Sequence, residues 1–320
     1  VSIDVDALAS GIRAGQYRAL AKAISLVEKD DPGTRRLLAD IYPATGKARV
    51  LGITGSPGAG KSTLVAAMAR FVRAQDKRVG IVAVDPTSPF TGGAILGDRI
   101  RMADLYTDRG VFIRSMATRG FLGGLARATN DVVDLLDASG FDLVLVETVG
   151  VGQDEVEVVR TVQTNIVVLV PGMGDDIQAI KAGIMEIGDI FVVNKADRPG
   201  ADKTVNDITM MMSLVEEHAE WVPPIVKTVA SKSEGIGEVN DAVCKHYEYL
   251  ERSGELARRN RDRVRIRIET QLKEGFMERL VGGIVSRQEY ESLIDDVLHK
   301  RNNPHDAAES LLRRATIARP

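Results

Sequence analysis

Two hydrophobic periods divide this chain. In residues 4–46 apolar side chains recur at helical spacing: Val5, Leu8 and Ile12, then Leu20, Ile24 and Val27, then Leu37, Leu38 and Ile41. Asp30-Asp31-Pro32-Gly33 breaks the pattern and is expected to cap the third helix, and Pro43-Ala44-Thr45-Gly46 ends the segment. From Arg49 the period changes. Short β-branched runs at 49–54, 78–84, 111–115, 142–147, 165–170, 189–193 and 225–229 alternate with helical stretches. Unbroken apolar strands separated by helices predict an α/β fold, a mostly parallel sheet covered on both faces. Ligands of such sheets sit beyond the carboxyl ends of the strands. Past residue 235 the strand pattern stops. Residues 236–275 read as one or two charged helices and 276–298 as another pair. That pair is broken at Val281-Gly282-Gly283 and restarted by the capping-box sequence Ser286-Arg287-Gln288-Glu289. Residues 304–316 read as a last helix. The expected parts are an N-terminal helical extension (1–46), an α/β domain (47–252) and a C-terminal helical arm (253–320).

Composition narrows the classes. The 320 residues are 44% hydrophobic and 27% charged, as in an ordinary soluble globular protein. Lys+Arg 42 against Asp+Glu 45 leaves a net charge of −3, which gives no reason to expect nucleic acid or an anionic membrane as a general partner. The basic run Arg258–Arg267 is diluted by acids and has no interleaved aromatics, so it reads as a solvated helix or an interface arm. The single cysteine, Cys244, rules out a disulfide framework and a thiolate zinc cluster, and a reducing cytoplasm is the expected compartment. No apolar run reaches the ~18 residues of a membrane span. The start, Val1-Ser2-Ile3-Asp4, lacks both Met and a signal pattern. Trp221, before Pro223-Pro224, is expected to be a packing anchor.

The candidate chemistry follows the strands. Gly55-Ser56-Pro57-Gly58-Ala59-Gly60-Lys61-Ser62-Thr63 lies between the first run and a helical stretch, the context a phosphate-binding loop requires. Its glycines let backbone N–H groups converge, and the helix start adds partial positive charge. Lys61 would reach the β- and γ-phosphates and the Ser62 hydroxyl would ligate Mg²⁺. Asn194-Lys195-Ala196-Asp197 has the N-K-x-D spacing that reads guanine. A carboxylate at Asp197 accepts from the N1–H and the exocyclic amine, and adenine lacks that donor pair. Asn194 would tie this loop to the phosphate loop, and the Lys195 stem would lie along the base. Ser231 and Lys232 would complete the base pocket.

Asp85, after the second run, could orient the Mg²⁺ shell, and Asp98 in the glycine-rich stretch behind it could swing toward the metal. Turn-forming roles are the alternative for both. Glu147 and Gly150 stand where many such enzymes read D-x-x-G. Gly150 would contact the γ-phosphate, and Glu147 could reach the attacking water or its metal-bound neighbour, with Gln153 as a rival for the water. By residue chemistry alone, Asp175 and Asp176 read best as helix caps.

The set G-S-P-G-A-G-K-S-T, D-P-T-S-P, E-T-V-G-V-G-Q, P-G-M-G-D-D-I-Q-A-I-K and N-K-A-D resembles the MeaB/MMAA family. These are GTPase chaperones of adenosylcobalamin-dependent methylmalonyl-CoA mutase, formerly named arginine/ornithine transport ATPases. The resemblance covers roughly residues 5–300. It implies a P-loop GTPase fold of the metallochaperone type, GTP and GDP as substrate and product, Mg²⁺, and a homodimer formed through the C-terminal arm. It further implies slow hydrolysis stimulated by an acyl-CoA mutase, with the adenosyltransferase as a further candidate partner. The segment 172–181 would then be a third switch, with Asp175, Gln178 and Lys181 acting when the partner docks and Lys181 bringing charge to the γ-phosphate. A nickel-delivery GTPase should carry a His-rich or Cys-containing metal motif, and this chain has neither. A transport ATPase or kinase would have to explain Asn194 and Asp197, and a GTP-gated scaffold would hydrolyse negligibly.

Overall fold

The computed structural model describes residues 4–85, 102–117, 122–148, 162–172, 187–213 and 220–317; for Asp85, Ala117, 122–126 and 316–317 only the backbone is described. Each of the seven β-branched runs forms a strand: β1 Arg49–Gly55, β2 Val79–Asp85, β3 Val111–Ala117, β4 Leu143–Thr148, β5 Thr164–Leu169, β6 Ile190–Asn194 and β7 Ile225–Thr228. They form one sheet in the order β3-β2-β4-β1-β5-β6-β7, with every pair parallel. Parallel neighbours require crossovers, so both faces acquire helices and the central strands are buried throughout.

One face is covered by α4 (Lys61–Arg73) and α7 (Ile236–Arg252). Leu64, Val65 and Met68 of α4 and Val239 and Val243 of α7 pack on Leu51, Ile53, Ile81, Leu145 and Ile166 of the strands. The other face carries α1 (Val5–Arg13), α2 (Tyr17–Val27), α3 (Thr34–Ile41) and α5 (Leu122–Ala138) over Val50, Val82, Val144 and Val146. Ile12, Ile24, Leu37 and Ile41 are at most 1% exposed. Each buried Leu or Ile stabilises by about 1.5–3 kcal/mol, which holds the N-terminal helices against the sheet. The Asp137 carboxylate at the end of α5 also accepts N–H bonds from Lys47 (3.1 Å) and Ala48 (2.9 Å), fixing the entry into β1. A smaller cluster packs α6 (Ala201–Met212) on Phe191 and Val193.

The amino end of β6 holds a polar knot. Asp189, 7% exposed, accepts from the Asn165 N–H (2.8 Å) and takes a bidentate bond from Arg259 (2.9 and 2.9 Å). Arg259 lies on α8 (Glu255–Leu280). The fully buried His246 places Nε2 3.3 Å from Asp189 and Nδ1 2.9 Å from the Thr164 hydroxyl. Trp221 donates its indole N–H to the Asp189 carbonyl (2.9 Å) and stacks on Tyr249, acting as a packing anchor. Burial by itself would raise the Asp189 pKa, but the hydrogen bonds and charges of His246 and Arg259 outweigh it and hold the carboxyl below its ordinary value.

The chain divides into two compact units, Val1–Arg263 and Val264–Pro320. The second holds the rest of α8, then α9 (Arg287–Leu298) and α10 (Pro304–Ile317). Helix α8 runs on to Leu280, so residues 276–280 finish it rather than open a new pair, because its hydrogen bonding is interrupted only at Val281-Gly282, where Gly282 takes φ 109°. The capping box at Ser286 and Glu289 forms with both reciprocal bonds. The stretch Asp30-Asp31-Pro32-Gly33 leads into α3 with Gly33 at the N-cap, and the Asp31 carboxylate accepts from the Gly33 N–H (2.8 Å). Among the described residues, no helix is long and apolar enough to cross a membrane.

Candidate active site

Strand β1 ends at Gly55 and helix α4 begins at Lys61. The loop between them turns on positive φ values at Gly55 (138°), Gly58 (76°) and Gly60 (88°). A methyl group at Gly60 would run into the Asn194 amide, and one at Gly55 into the Val168 carbonyl of β5. Only glycine combines that backbone with that clearance. The first N–H groups of α4 have no intrahelical acceptor, so the loop ends in a site suited to an anion.

Lys61 is buried, and its ammonium donates to the carbonyls of Gly55 (2.6 Å) and Ser56 (3.2 Å). The same loop therefore supplies a cation and a helix start. The Ser62 hydroxyl donates to Glu147 Oε1 at 2.6 Å. Glu147 is 1% exposed and lies near the carboxyl end of β4, in register with Ile53 of β1 and Ala83 of β2. The backbone of Asp85 ends β2 beside Ala117 of β3. The carboxyl ends of β1, β2 and β4 thus gather Ser62 and Glu147 in direct contact, with Asp85 on the next strand. Hydroxyl and carboxylate oxygens of this kind are the hard donors that suit Mg²⁺.

The second wall comes from β6 and β7. Asn194, 2% exposed, donates through Nδ2 to the Ala59 carbonyl (2.9 Å). Its Oδ1 accepts from the Thr228 hydroxyl (3.1 Å) and the Ala230 N–H (3.1 Å). With two donors facing the oxygen and a carbonyl facing the nitrogen, the network determines how the amide is turned. Asn194 joins the phosphate loop, β6 and the turn after β7. Lys195 has a left-handed backbone (φ 56°) and donates to the Gly58 carbonyl (2.7 Å), a second tie to the same loop. Asp197 is exposed, with its carboxylate 3.9 Å from the Lys232 ammonium. Ser231 and Lys232 lie in the short 3-10 turn Ala230–Lys232.

The structure brings together the residues Gly55–Thr63, Glu147, Asn194, Lys195, Asp197, Ser231 and Lys232. Asp98, Gly150, Asp175, Gln178 and Lys181 lie outside the described residues, as does Gln153. Sequence reasoning missed Thr228, which orients Asn194. A threonine near the end of the run 225–229, two residues before Ala230-Ser231-Lys232, is the signal the sequence offers.

Comparison with known proteins gives a consistent result. The profile of the family described as "Methylmalonyl Co-A mutase-associated GTPase MeaB" matches residues 20–284. A Pyrococcus abyssi protein assigned to the GTPases is 49% identical over 312 residues, covering 97% of this chain and 96% of that one. "GTPase ArgK" of Escherichia coli is 40% identical over 77% of this chain and 76% of its own length. "Methylmalonic aciduria type A homolog, mitochondrial" of Mus musculus is 32% identical over 97% of this chain and 79% of its own. Among solved structures, a "LAO/AO transport system kinase" superposes with a TM-score of 0.75 at 27% identity, covering 99% of both chains.

Proposed function

The chain belongs to the MeaB family of methylmalonyl Co-A mutase-associated GTPases, and from that premise we propose that it couples Mg²⁺-dependent GTP hydrolysis to cofactor loading and protection of an adenosylcobalamin-dependent acyl-CoA mutase, methylmalonyl-CoA mutase first among them. GTP hydrolysis itself comes with the family. The observation that carries the site reading is the Asn194 amide, which binds the phosphate loop and the turn after β7 at once. That bond network ties the strand end just before Asp197 to the phosphate loop, which supports the guanine reading.

In this reading the phosphate loop and Lys61 hold the β- and γ-phosphates by converging donors. Ser62, Asp85 and Asp98 would hold Mg²⁺, with Glu147 beside them; the ion would neutralise charge on the phosphate oxygens. Glu147, buried against Ser62, orients the attacking water, and Gly150 contacts the γ-phosphate. Asp197 accepts the two guanine donors while Lys195, Ser231 and Lys232 line the base. Asp175, Gln178 and Lys181 complete the charge balance when the mutase docks, so hydrolysis is slow alone and faster in the complex. The adenosyltransferase is a second partner, and the reducing cytoplasm suits all three proteins.

A homodimer through 253–320 belongs to the same reading. Within the second unit, Val264, Ile268, Leu272 and Phe276 repeat at every fourth residue of α8 and are 42–66% exposed, while Leu280 is the buried residue of that helix. An apolar stripe of this length in water calls for a covering surface.

The test has two parts. The first compares GTP and ATP turnover in the wild type and in Asp197→Ala. A loss of GTP preference of about a hundredfold or more is expected in the variant, and equal use of the two nucleotides by the wild type would sink the guanine assignment. The second is capture of the mutase by the GTP-analogue and GDP forms, followed by hydrolysis assays with the captured enzyme. Nucleotide-independent capture, or no capture, of any cobalamin enzyme would remove the chaperone reading and leave the GTPase assignment intact.

A further inference from the structure

A cavity of about 530 Å³ opens at the amino ends of β2 and β3, at the opposite end of the sheet from the phosphate loop. It is lined by Gly15 and Tyr17 from the turn into α2, Arg78 before β2, and Tyr106, Asp108 and Arg109 before β3. Its volume falls in the range of small-molecule sites.

The lining presents many donors and a single carboxylate. The Arg78 guanidinium is pre-positioned: Nη1 donates to the Ser139 carbonyl (2.6 Å), and its carbon lies 4.3 Å from the centroid of the Phe141 ring. Its Nε and Nη2 have no partner among the described residues. The Arg109 guanidinium and the Tyr17 and Tyr106 hydroxyls also lack partners among them. Burial, helped by Asp108 and opposed by Arg78, pushes the Tyr17 hydroxyl up to about 12, so it stays a donor at neutral pH. The one carboxylate, Asp108, is already engaged by Arg73 through two bonds (2.9 and 3.1 Å) and by the Gly110 N–H (2.7 Å). Gly15 contributes by having no side chain. Its backbone takes φ 69°, and a Cβ there would lie 3.1 Å from Arg78 Nη1, crowding the guanidinium.

We propose that this cavity binds a small phosphate-bearing ligand, with Arg78 and Arg109 on the phosphoryl oxygens and the tyrosine hydroxyls completing the shell. Two guanidiniums and two hydroxyls offer more donors than the two oxygens of one carboxylate can accept, which favours a phosphoryl group. The tyrosine rings supply apolar surface for the rest of the molecule. The site is independent of the guanine assignment, since its residues lie at the other end of the sheet.

Titration calorimetry with inorganic pyrophosphate tests this on full-length protein saturated with GDP and Mg²⁺, so that the phosphate loop is filled. One saturable site per chain is expected, weakened about tenfold or more by Arg109→Met and by Arg78→Met, and about threefold by Tyr17→Phe. The Arg109 side chain is exposed and makes no hydrogen bond or ion pair among the described residues, so its variant answers the question if Arg78→Met unfolds. Succinate, run alongside, should bind at least tenfold more weakly. No saturable pyrophosphate binding, equal affinity in Arg109→Met, or succinate binding as tightly as pyrophosphate would each overturn the proposal.

Discussion

Strand β6 has a buried polar residue at each end, and the two differ in where their hydrogen bonding leads. At the amino end Asp189 is closed within the chain: Asn165, His246 and Arg259 surround its carboxylate, and Trp221 takes its carbonyl. At the carboxyl end Asn194 is also buried, but its partners are Ala59 of the phosphate loop and Thr228 and Ala230 beside the proposed base pocket. Four residues of parallel strand separate a knot that stabilises from a knot that positions. Burial and polarity alone do not tell them apart. What separates them is where the partners sit: β5 and two packed helices at one end, the phosphate loop and the end of β7 with its turn at the other.

This contrast can be attacked from either end. The largest effect is expected at the phosphate loop. Lys61→Ala should lower GTP turnover by about a thousandfold or more, because positioned charge is the main contribution to phosphoryl transfer. The thermal midpoint should move little by comparison, and a collapse of the fold in place of a kinetic loss would erase the distinction.

At the other end, Asp189→Asn should cost about 3 kcal/mol in denaturant unfolding, since it leaves Arg259 and His246 around a neutral group. The affinity of the folded protein for GTP should be unchanged. A matching loss of nucleotide affinity would show that the two ends are one device.

The acid limb of stability sharpens the same point. The folded pKa of Asp189 is depressed, so its contribution is fully present above the unfolded value of about 3.9. That contribution should disappear as pH falls from there through the lower folded value. Comparing wild type with Asp189→Asn, the stability difference should be flat from neutral pH down to about 4 and shrink below it. A difference that already shrinks above pH 5 would sink this account.

The smallest effect tests the missed residue. Thr228→Val removes one of the two donors on Asn194 Oδ1 while keeping the shape, so GTP affinity should fall about fivefold, near 1 kcal/mol. ATP binding should change less. Equal losses for both nucleotides would mean that Thr228 supports the sheet rather than the base-reading loop.

Much of this was legible beforehand because it is local. The seven strands could be read because parallel, doubly covered strands must be apolar on both faces, which leaves unbroken β-branched runs. Their observed limits differ by only one or two residues. The phosphate loop was legible because its glycines are dictated by backbone conformation over nine consecutive residues. The continuation of α8 to Leu280 was not, because Gly275 weakens the helical pattern locally, as a boundary would, whereas the helix runs through it.

By itself, then, the amino-acid order determined the element types, the parallel sheet, and the clustering of its polar motifs at strand ends, all of which depend on side-chain period and backbone preference within a few residues. Only the tertiary structure decided the strand order, the Ser62–Glu147 contact across 85 positions, the three-loop junction at Asn194, and the closing of Asp189 by an arginine 70 residues away. The reason is physical. A period records which face of a strand or helix is buried, whereas a hydrogen bond between distant segments depends on which strands lie side by side, and that choice is made by the packing of the whole sheet.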